Sequence, residues 1–465
     1  MLVIHRRQIG LVGAVVALTL GCLTGCSEKG TEPPPPPPDL LARLDAIPGS
    51  TVTEIAPPAG SYFTRAFRVE LSQPVDHGTP GGAQFVQPFF ILHTGTGSPT
   101  HLYLSGYSIG SSRVFELSSV LRANQVYVGH RYVGGIGPEP PSWEHLTIQQ
   151  AAADIHRIVA FLKPIYTGPW VSSGRSKGGM AAIFHRRFYP EDVAVTVPFV
   201  APIMFDTADS RFDQYLLNEA GDAACRGEIM TFQRAVLGRR DSLLPLLEAH
   251  VQQTGSTFRL GLPATFEISV LELLFSYWQV GPHDCQPLPD STAATSELYD
   301  YFMQVSGIDW LSDNYMNYYS PVFYQMYTEL GYYRLITEHV ADLLQEYDAP
   351  SYSLYCPLGV PRTYYPEVMA DVNNWLMTEA NNFIYVYGGI DPYTSVRVGV
   401  PNQTNSISII EPGADHSVDI SGLTVQREEL FDSLESWLGV EVYRVYREEA
   451  NPPAELGNEI ERFLK

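Results

Sequence analysis

VSSGRSKGGMAAIFHRRFYP, residues 171–190, passes from a strand-like segment through a glycine-rich turn into a helix-like one. Its centre, Gly174-Arg175-Ser176-Lys177-Gly178, fits G-x-S-x-G. A serine hydroxyl is a poor nucleophile until a base takes its proton, and a sharp strand-turn-helix exposes that hydroxyl. Small neighbours make room for the turn, and backbone N–H groups at a helix start can stabilise an oxyanion. On this motif alone two readings stand: Ser176 as nucleophile, or Ser176 as a helix N-cap. A Walker-type phosphate loop is not supported, because Gly-Lys-Ser/Thr is absent.

Working outward, the rhythm on either side is that of an α/β chain. Residues 67–71, 83–93, 101–104 and 125–132 read as strands, with a Gly/Pro turn at 78–82. Residues 148–162 carry apolar side chains at helical spacing. Strand, helix and strand follow at 170–173, 177–188 and 193–200, which points to a parallel sheet. From 205 to 374 the pattern becomes mostly helical, as at 228–251 and 265–279, and rich in tyrosine (Tyr315, Tyr318, Tyr319, Tyr324, Tyr327, Tyr332, Tyr333). Strands return at 382–387 and 406–410, followed by an amphipathic helix at 425–438. The expected organisation is a sheet domain in two parts, 46–204 and 375–465, interrupted by a helical domain at 205–374.

The first residues read as a targeting segment. His5-Arg6-Arg7 precedes an apolar run at 9–20 that is short for a membrane span, and Leu23-Thr24-Gly25-Cys26 resembles a lipobox. The expectation is a lipoprotein signal peptide at 1–25, with Cys26 lipidated, and a tether at 26–45 in which residues 33–38 are consecutive prolines. That places the protein in a bacterial cell envelope, anchored to a membrane and facing the periplasm or cell surface. Export makes one disulfide plausible among the body cysteines; the expected pair is Cys225–Cys285, with Cys356 free. A net charge of −22 on 465 residues argues against nucleic acid. Neither C-x-x-C nor H-E-x-x-H occurs, so no metal is expected, and the chemistry below needs no cofactor.

A serine nucleophile needs a histidine base and a carboxylate, which in α/β sheets follow it in the order Ser, Asp/Glu, His. Asp391, in Tyr387-Gly388-Gly389-Ile390-Asp391-Pro392, lies just past one strand. His416, in Gly413-Ala414-Asp415-His416, lies just past the next. Carboxyl ends of strands are where such sites form. Asp391 is therefore the expected acid and His416 the base, against alternatives in which they are a turn former and a polar loop histidine. His185 and His130 are weaker candidates, and Asp415 is expected to point elsewhere. For the oxyanion, the N–H of Lys177 and the backbone near Gly106 and Tyr107, after the strand at 101–104, are the expected donors.

Several stretches resemble the PS-10 peptidases of family S37, secreted tripeptidyl aminopeptidase-like serine peptidases, and more distantly the prolyl carboxypeptidase-like peptidases. They are LRANQVYVGHRYVG, WEHLTIQQAAADIHRIVAFLKPIY, GRSKGGMAAIFHRRFYPEDV, VPFVAPI, YYSPVFYQMYTELGYY, YGGIDPYTS and PGADHSVDI, spread over about residues 60–440. The resemblance implies an α/β-hydrolase fold with a helical cap between nucleophile and acid, and a peptidase that releases short peptides from a free amino end. It matches Ser176, Asp391 and His416 to the triad. Two departures, Gly129 where an acidic residue is frequent and Arg175 where small residues are usual, bear on how a substrate amino terminus is received. The competing readings are an esterase or lipase on the same fold and a non-catalytic peptide-binding lipoprotein.

Overall fold

The computed structural model describes residues 39–283, 288–402 and 404–444. A short helix α1 (Leu40–Asp45) leads into β1 (Ser50–Ile55), β2 (Arg65–Pro74), β3 (Gln84–His93) and β4 (Thr100–Leu104). The packed body thus begins inside the stretch expected to be tether, with Leu44 fully buried. Next come α2 (Glu116–Leu121), β5 (Asn124–Val128), α3 (Ile148–Leu162), β6 (Trp170–Arg175), α4 (Lys177–Phe188) and β7 (Val195–Phe199). The helical insertion follows: α5 (Ser210–Asn218), α6 (Ala223–Gly238), α7 (Arg240–Thr254), α8 (Leu262–Gln279), α9 (Thr295–Val305) and α10 (Asp313–Gln325). After α11 (Pro366–Thr378) the sheet is completed by β8 (Ile384–Gly388) and β9 (Ile407–Glu411), and α12 (Arg427–Leu438) closes the described chain.

Among the described residues these strands form one sheet in the order β1-β2-β3-β5-β4-β6-β7-β8-β9. The edge from β1 through β3 to β5 pairs antiparallel, and the rest pairs parallel. This is an α/β-hydrolase fold. The crossover that exchanges β4 and β5 sets β4 beside β6, so the loop after β4 and the turn after β6 emerge side by side. Successive residues of a strand face opposite ways. On β6, Trp170 joins a core under α3 with Leu102 and Val126, while Val171 joins a core under α2 and α12 with Val197 and Val386. The sheet is thus covered on both faces, and its central strands are buried along nearly their whole length. One polar exception is His101 on β4. It is fully buried, its ring nitrogens lie 2.6 Å from Ser118 Oγ and Ser173 Oγ, and burial pushes its pKa down to about 3.

Local departures from the sequence expectation have identifiable causes. The strand expected at 125–132 stops at Val128, because Tyr132 takes a left-handed φ of 70° and Arg131 turns inward. Arg131 is fully buried, pairs with Asp154 at 2.6 Å and donates to the carbonyls of Pro74, Val75 and His145. The helix expected at 228–251 breaks at Arg239 (φ −101°, ψ 14°) into α6 and α7. Between α10 and α11 the described chain has a π-helical turn at Met326–Leu330 and a short turn at Tyr352–Tyr355, and is otherwise largely irregular. Cys225 is disulfide-bonded and Cys356 is free and buried; Cys285 lies outside the described residues, as do Cys26 and the whole of 1–25.

Candidate active site

β6 delivers the chain to Ser176 and α4 carries it away, a reversal that places Ser176 at φ 54°, ψ −123°. Such a conformation costs a non-glycine residue of order 1–3 kcal/mol and persists only where the surroundings impose it. Here the Ser176 N–H donates to the Phe199 carbonyl at 2.9 Å, and the Ser176 carbonyl accepts from Met180 N–H at 3.0 Å. The side chain makes no capping hydrogen bond. Crowding explains the flanking glycines. A Cβ on Gly174 would sit 2.2 Å from the Gly178 oxygen, and one on Gly178 would sit 2.3 Å from the Leu104 oxygen.

The loop after β4 presses against this turn. A Cβ on Gly106 would lie 2.5 Å from Lys177 Cβ and 2.6 Å from Gly178 N. Gly106, Tyr107, Ser176 and Lys177 line one cavity of about 470 Å³. The first N–H groups of a helix have no partner within it, which leaves the Lys177 N–H to serve a ligand. The Tyr107 N–H, one of the expected oxyanion donors, is engaged within the loop, donating to Ser105 Oγ at 3.1 Å. Contacts from the insertion hold this loop: the Ser108 N–H donates to Tyr318 Oη at 3.2 Å, Ser108 Oγ lies 2.7 Å from the same oxygen, and the rings of Tyr107 and Tyr319 meet edge to face at 5.7 Å. We expect Gly106→Ala to fold but to lower kcat by about 10²- to 10³-fold, the effect of losing an aligned oxyanion donor. Steady-state kinetics with a thermal melt checks this, and an unchanged kcat would remove the loop from the chemistry.

His416 lines the same cavity as Ser176 and is 3% exposed. Its Nδ1 lies 2.7 Å from Oδ2 of Asp391, which is fully buried, and its backbone N–H donates to the Gln279 carbonyl at the end of α8. With a carboxylate as partner, Nδ1 carries the proton and Nε2 is left as the acceptor. The other carboxylate oxygen, Oδ1, accepts from Tyr393 N–H at 3.0 Å and so caps the short turn Pro392–Val396. Gly388 is required where β8 passes the histidine loop, since a Cβ there would meet the Asp415 oxygen at 2.1 Å. Arg175 braces that loop, donating to the carbonyls of His416 at 2.8 Å and Val418 at 2.7 Å. This is what the departure at Arg175 does locally. Gly129 is buried beside Ile136 and its carbonyl accepts from Gln87.

The remaining candidates lie elsewhere. His185 and His156 both contact Asp192, at 2.9 and 2.8 Å. The His130 Nδ1 lies 2.7 Å from the Arg131 carbonyl. Asp415 turns away from Asp391 toward His283, at 3.2 Å, and Ser417. Of the tyrosine cluster, Tyr315, Tyr318, Tyr319 and Tyr332 line the cavity, whereas Tyr324 and Tyr327 pack into cores. The Lys177 amine is buried and pushed down to about 7 by that burial, with Glu329 opposing the shift. Among the described residues no group of three His, Cys, Asp or Glu side chains gathers as a metal site would require.

One lining residue escaped the sequence reading. Glu272, in the middle of the apolar helix α8, is 5% exposed and accepts from Tyr352 Oη at 2.6 Å, Tyr333 Oη at 2.9 Å and Ser276 Oγ at 3.3 Å. A carboxylate inside so apolar a run (FEISVLELLFSYW) is the signal that marks it. Burial pushes its pKa from the usual 4.5 up to about 7, while the three hydroxyls favour the ionised form. The fold holds this proton more tightly than the unfolded chain does. Stability from this group is therefore complete below about pH 4.5 and is lost as pH rises through about 7. Between about pH 5 and pH 8 the wild type should lose roughly 3 kcal/mol more stability than Glu272→Gln, whose amide does not titrate. Parallel melting curves against pH would contradict this.

The PS-10 peptidase S37 family model matches residues 34–457. The chain is 34% identical over 464 residues to a prolyl tri/tetrapeptidyl aminopeptidase of Streptomyces mobaraensis, covering 97% of this chain and 95% of that one. Among solved structures it is similar to VinJ, at 14% identity and a TM-score of 0.40, covering 82% of this chain and 100% of that one. It is also similar to a proline iminopeptidase of Mycobacterium smegmatis, at 11% identity and a TM-score of 0.37, covering 80% and 97%.

Proposed function

This chain belongs to the PS-10 peptidase S37 family, and we propose that it is a serine aminopeptidase releasing short peptides, chiefly tripeptides, from free amino ends. The observation that carries the reading is the Asp391–His416 pair, 2.7 Å apart, with its histidine in the same cavity as the strained turn at Ser176. In the proposed reaction Ser176 Oγ attacks the scissile carbonyl as His416 Nε2 takes its proton. The oxyanion is received by the Lys177 N–H and by the loop at Gly106 and Tyr107. Asp391 holds the imidazole in the required tautomer and stabilises its charged form. The C–N bond breaks as His416 returns the proton to the leaving amine. Water, deprotonated by His416, then attacks the acyl-enzyme and frees Ser176. Side chains and backbone supply every proton transfer and charge contact named.

The substrate class is supported by the family and by the Streptomyces relative, whose name specifies tri- and tetrapeptides. The test is chromophore release from tripeptidyl anilides, free or acetylated at the amino end. Release from the free substrates alone supports the reading. Turnover of short acyl esters without amide cleavage would favour an esterase instead. A place in the cell envelope is part of the same proposal, supported by the lipobox ending at Cys26 and the proline run at 33–38. Membrane fractionation of wild type and Cys26→Ser checks it: a wild type that fractionates as soluble protein would overturn the anchor.

A further inference from the structure

The peptidase reading requires that a substrate ammonium be recognised, and it leaves open which group does so. We infer that Glu272 receives the amino-terminal ammonium, and that the stretch of α8 between Glu272 and the catalytic histidine sets the released fragment at three residues. The inference rests on the proposed aminopeptidase function and assigns its specificity to one residue.

Three observations carry it. First, among the described residues Glu272 is the one acidic side chain lining the cavity. An α-ammonium must be desolvated to enter, and a buried charge is tolerated only when paired and hydrogen-bonded. Second, among the described residues Glu272 is supplied with hydroxyls and with no cation: its partners are Tyr352, Tyr333 and Ser276. A carboxylate has about four acceptor positions, so three hydroxyls leave one for a further donor. The missing counter-charge is what an ammonium brings. Third, the spacing fits. Glu272, Ser276 and Gln279 lie on one face of α8 and all line the cavity. Gln279 touches His416, its carbonyl accepting the histidine N–H at 3.0 Å. From Gln279 back to Glu272 is seven residues of helix, ~10 Å at ~1.5 Å each. Three extended substrate residues span about the same distance, at ~3.3–3.6 Å each, whereas two reach ~7 Å and four ~14 Å.

The test uses full-length enzyme and the ratio of kcat/KM for free over N-acetylated peptidyl anilides. Glu272→Gln should lower that ratio by about 100-fold, mainly through KM for the free substrate, as expected for removal of one partner of a buried charge pair. Glu272→Asp should recover part of the ratio, because it restores the charge on a shorter arm. An unchanged ratio in folded Glu272→Gln would overturn the assignment while leaving the aminopeptidase reading intact. A wild type that cleaves neither substrate would overturn both. Should Glu272→Gln fail to fold, as near-UV circular dichroism would reveal, a wild-type series of di-, tri- and tetrapeptidyl anilides decides. A ratio that peaks at three residues supports the spacing, and one independent of length overturns it.

Discussion

Replacing Ser176 by alanine should lower kcat on tripeptidyl anilides by about 10⁴- to 10⁶-fold and leave the melting temperature nearly unchanged. The two halves of this result separate the two readings of the residue. A serine that only caps α4 would cost ~1 kcal/mol of stability on truncation and leave turnover alone. The Ser176 side chain, however, makes no capping hydrogen bond. What holds the turn is backbone: the bonds to Phe199 and Met180 and the close approach of Gly174, Gly178 and Leu104. Alanine keeps all of these. The conformational strain at φ 54° is therefore the same in both proteins, and the hydroxyl is what changes. Steady-state kinetics alongside a thermal melt measures both quantities, and a stability loss with retained kcat would restore the capping reading.

The second large effect is expected at Asp391→Asn, about 10⁴-fold in kcat near neutral pH. The carboxylate is fully buried, with Oδ2 on His416 Nδ1 at 2.7 Å and Oδ1 on Tyr393 N–H at 3.0 Å. Asparagine can keep its carbonyl oxygen on the Tyr393 N–H, so the turn Pro392–Val396 survives. Its amide N–H then faces Nδ1 and donates to it. That shifts the imidazole proton to Nε2, the nitrogen that must accept from Ser176. The loss is one of tautomer rather than of structure. It should be accompanied by disappearance of the downfield Nδ1 proton resonance at unchanged melting temperature. A loss smaller than about tenfold would mean that Asp391 is only a turn former.

How much of this was legible in the sequence depends on whether local or distant contacts set each feature. Helix α3 begins and ends where the periodicity places it, because its apolar face and its Thr147 cap, which accepts from Gln150 N–H, are local. Helix α4 starts where the glycine turn ends, with no side-chain cap. Strands β7 and β8 were legible because burial on both faces leaves a largely apolar run. The order Ser176, Asp391, His416 at strand ends was legible because parallel-sheet topology brings those ends together. The extent of β5 was not. His130 to Tyr132 continue a strand-like pattern, but Arg131 is drawn inward by Asp154 on α3 and by carbonyls of distant loops. Glu272 was hidden for the same reason. Its hydroxyl partners on Tyr333 and Tyr352 lie 61 and 80 residues away, so only the fold reveals that the carboxylate is satisfied and where it faces. Arg175 looked like an intrusion in a small-residue motif, and its role in bracing the histidine loop depends on carbonyls 241 and 243 residues later.

The most direct measurement is the mass of the covalent adduct formed with a tripeptidyl phosphonate carrying a free amino terminus, mapped by peptide sequencing. The account predicts one adduct per chain, on Ser176, formed far more slowly in His416→Ala and more slowly by the acetylated phosphonate. Modification of any other residue, or none in folded protein, would contradict it.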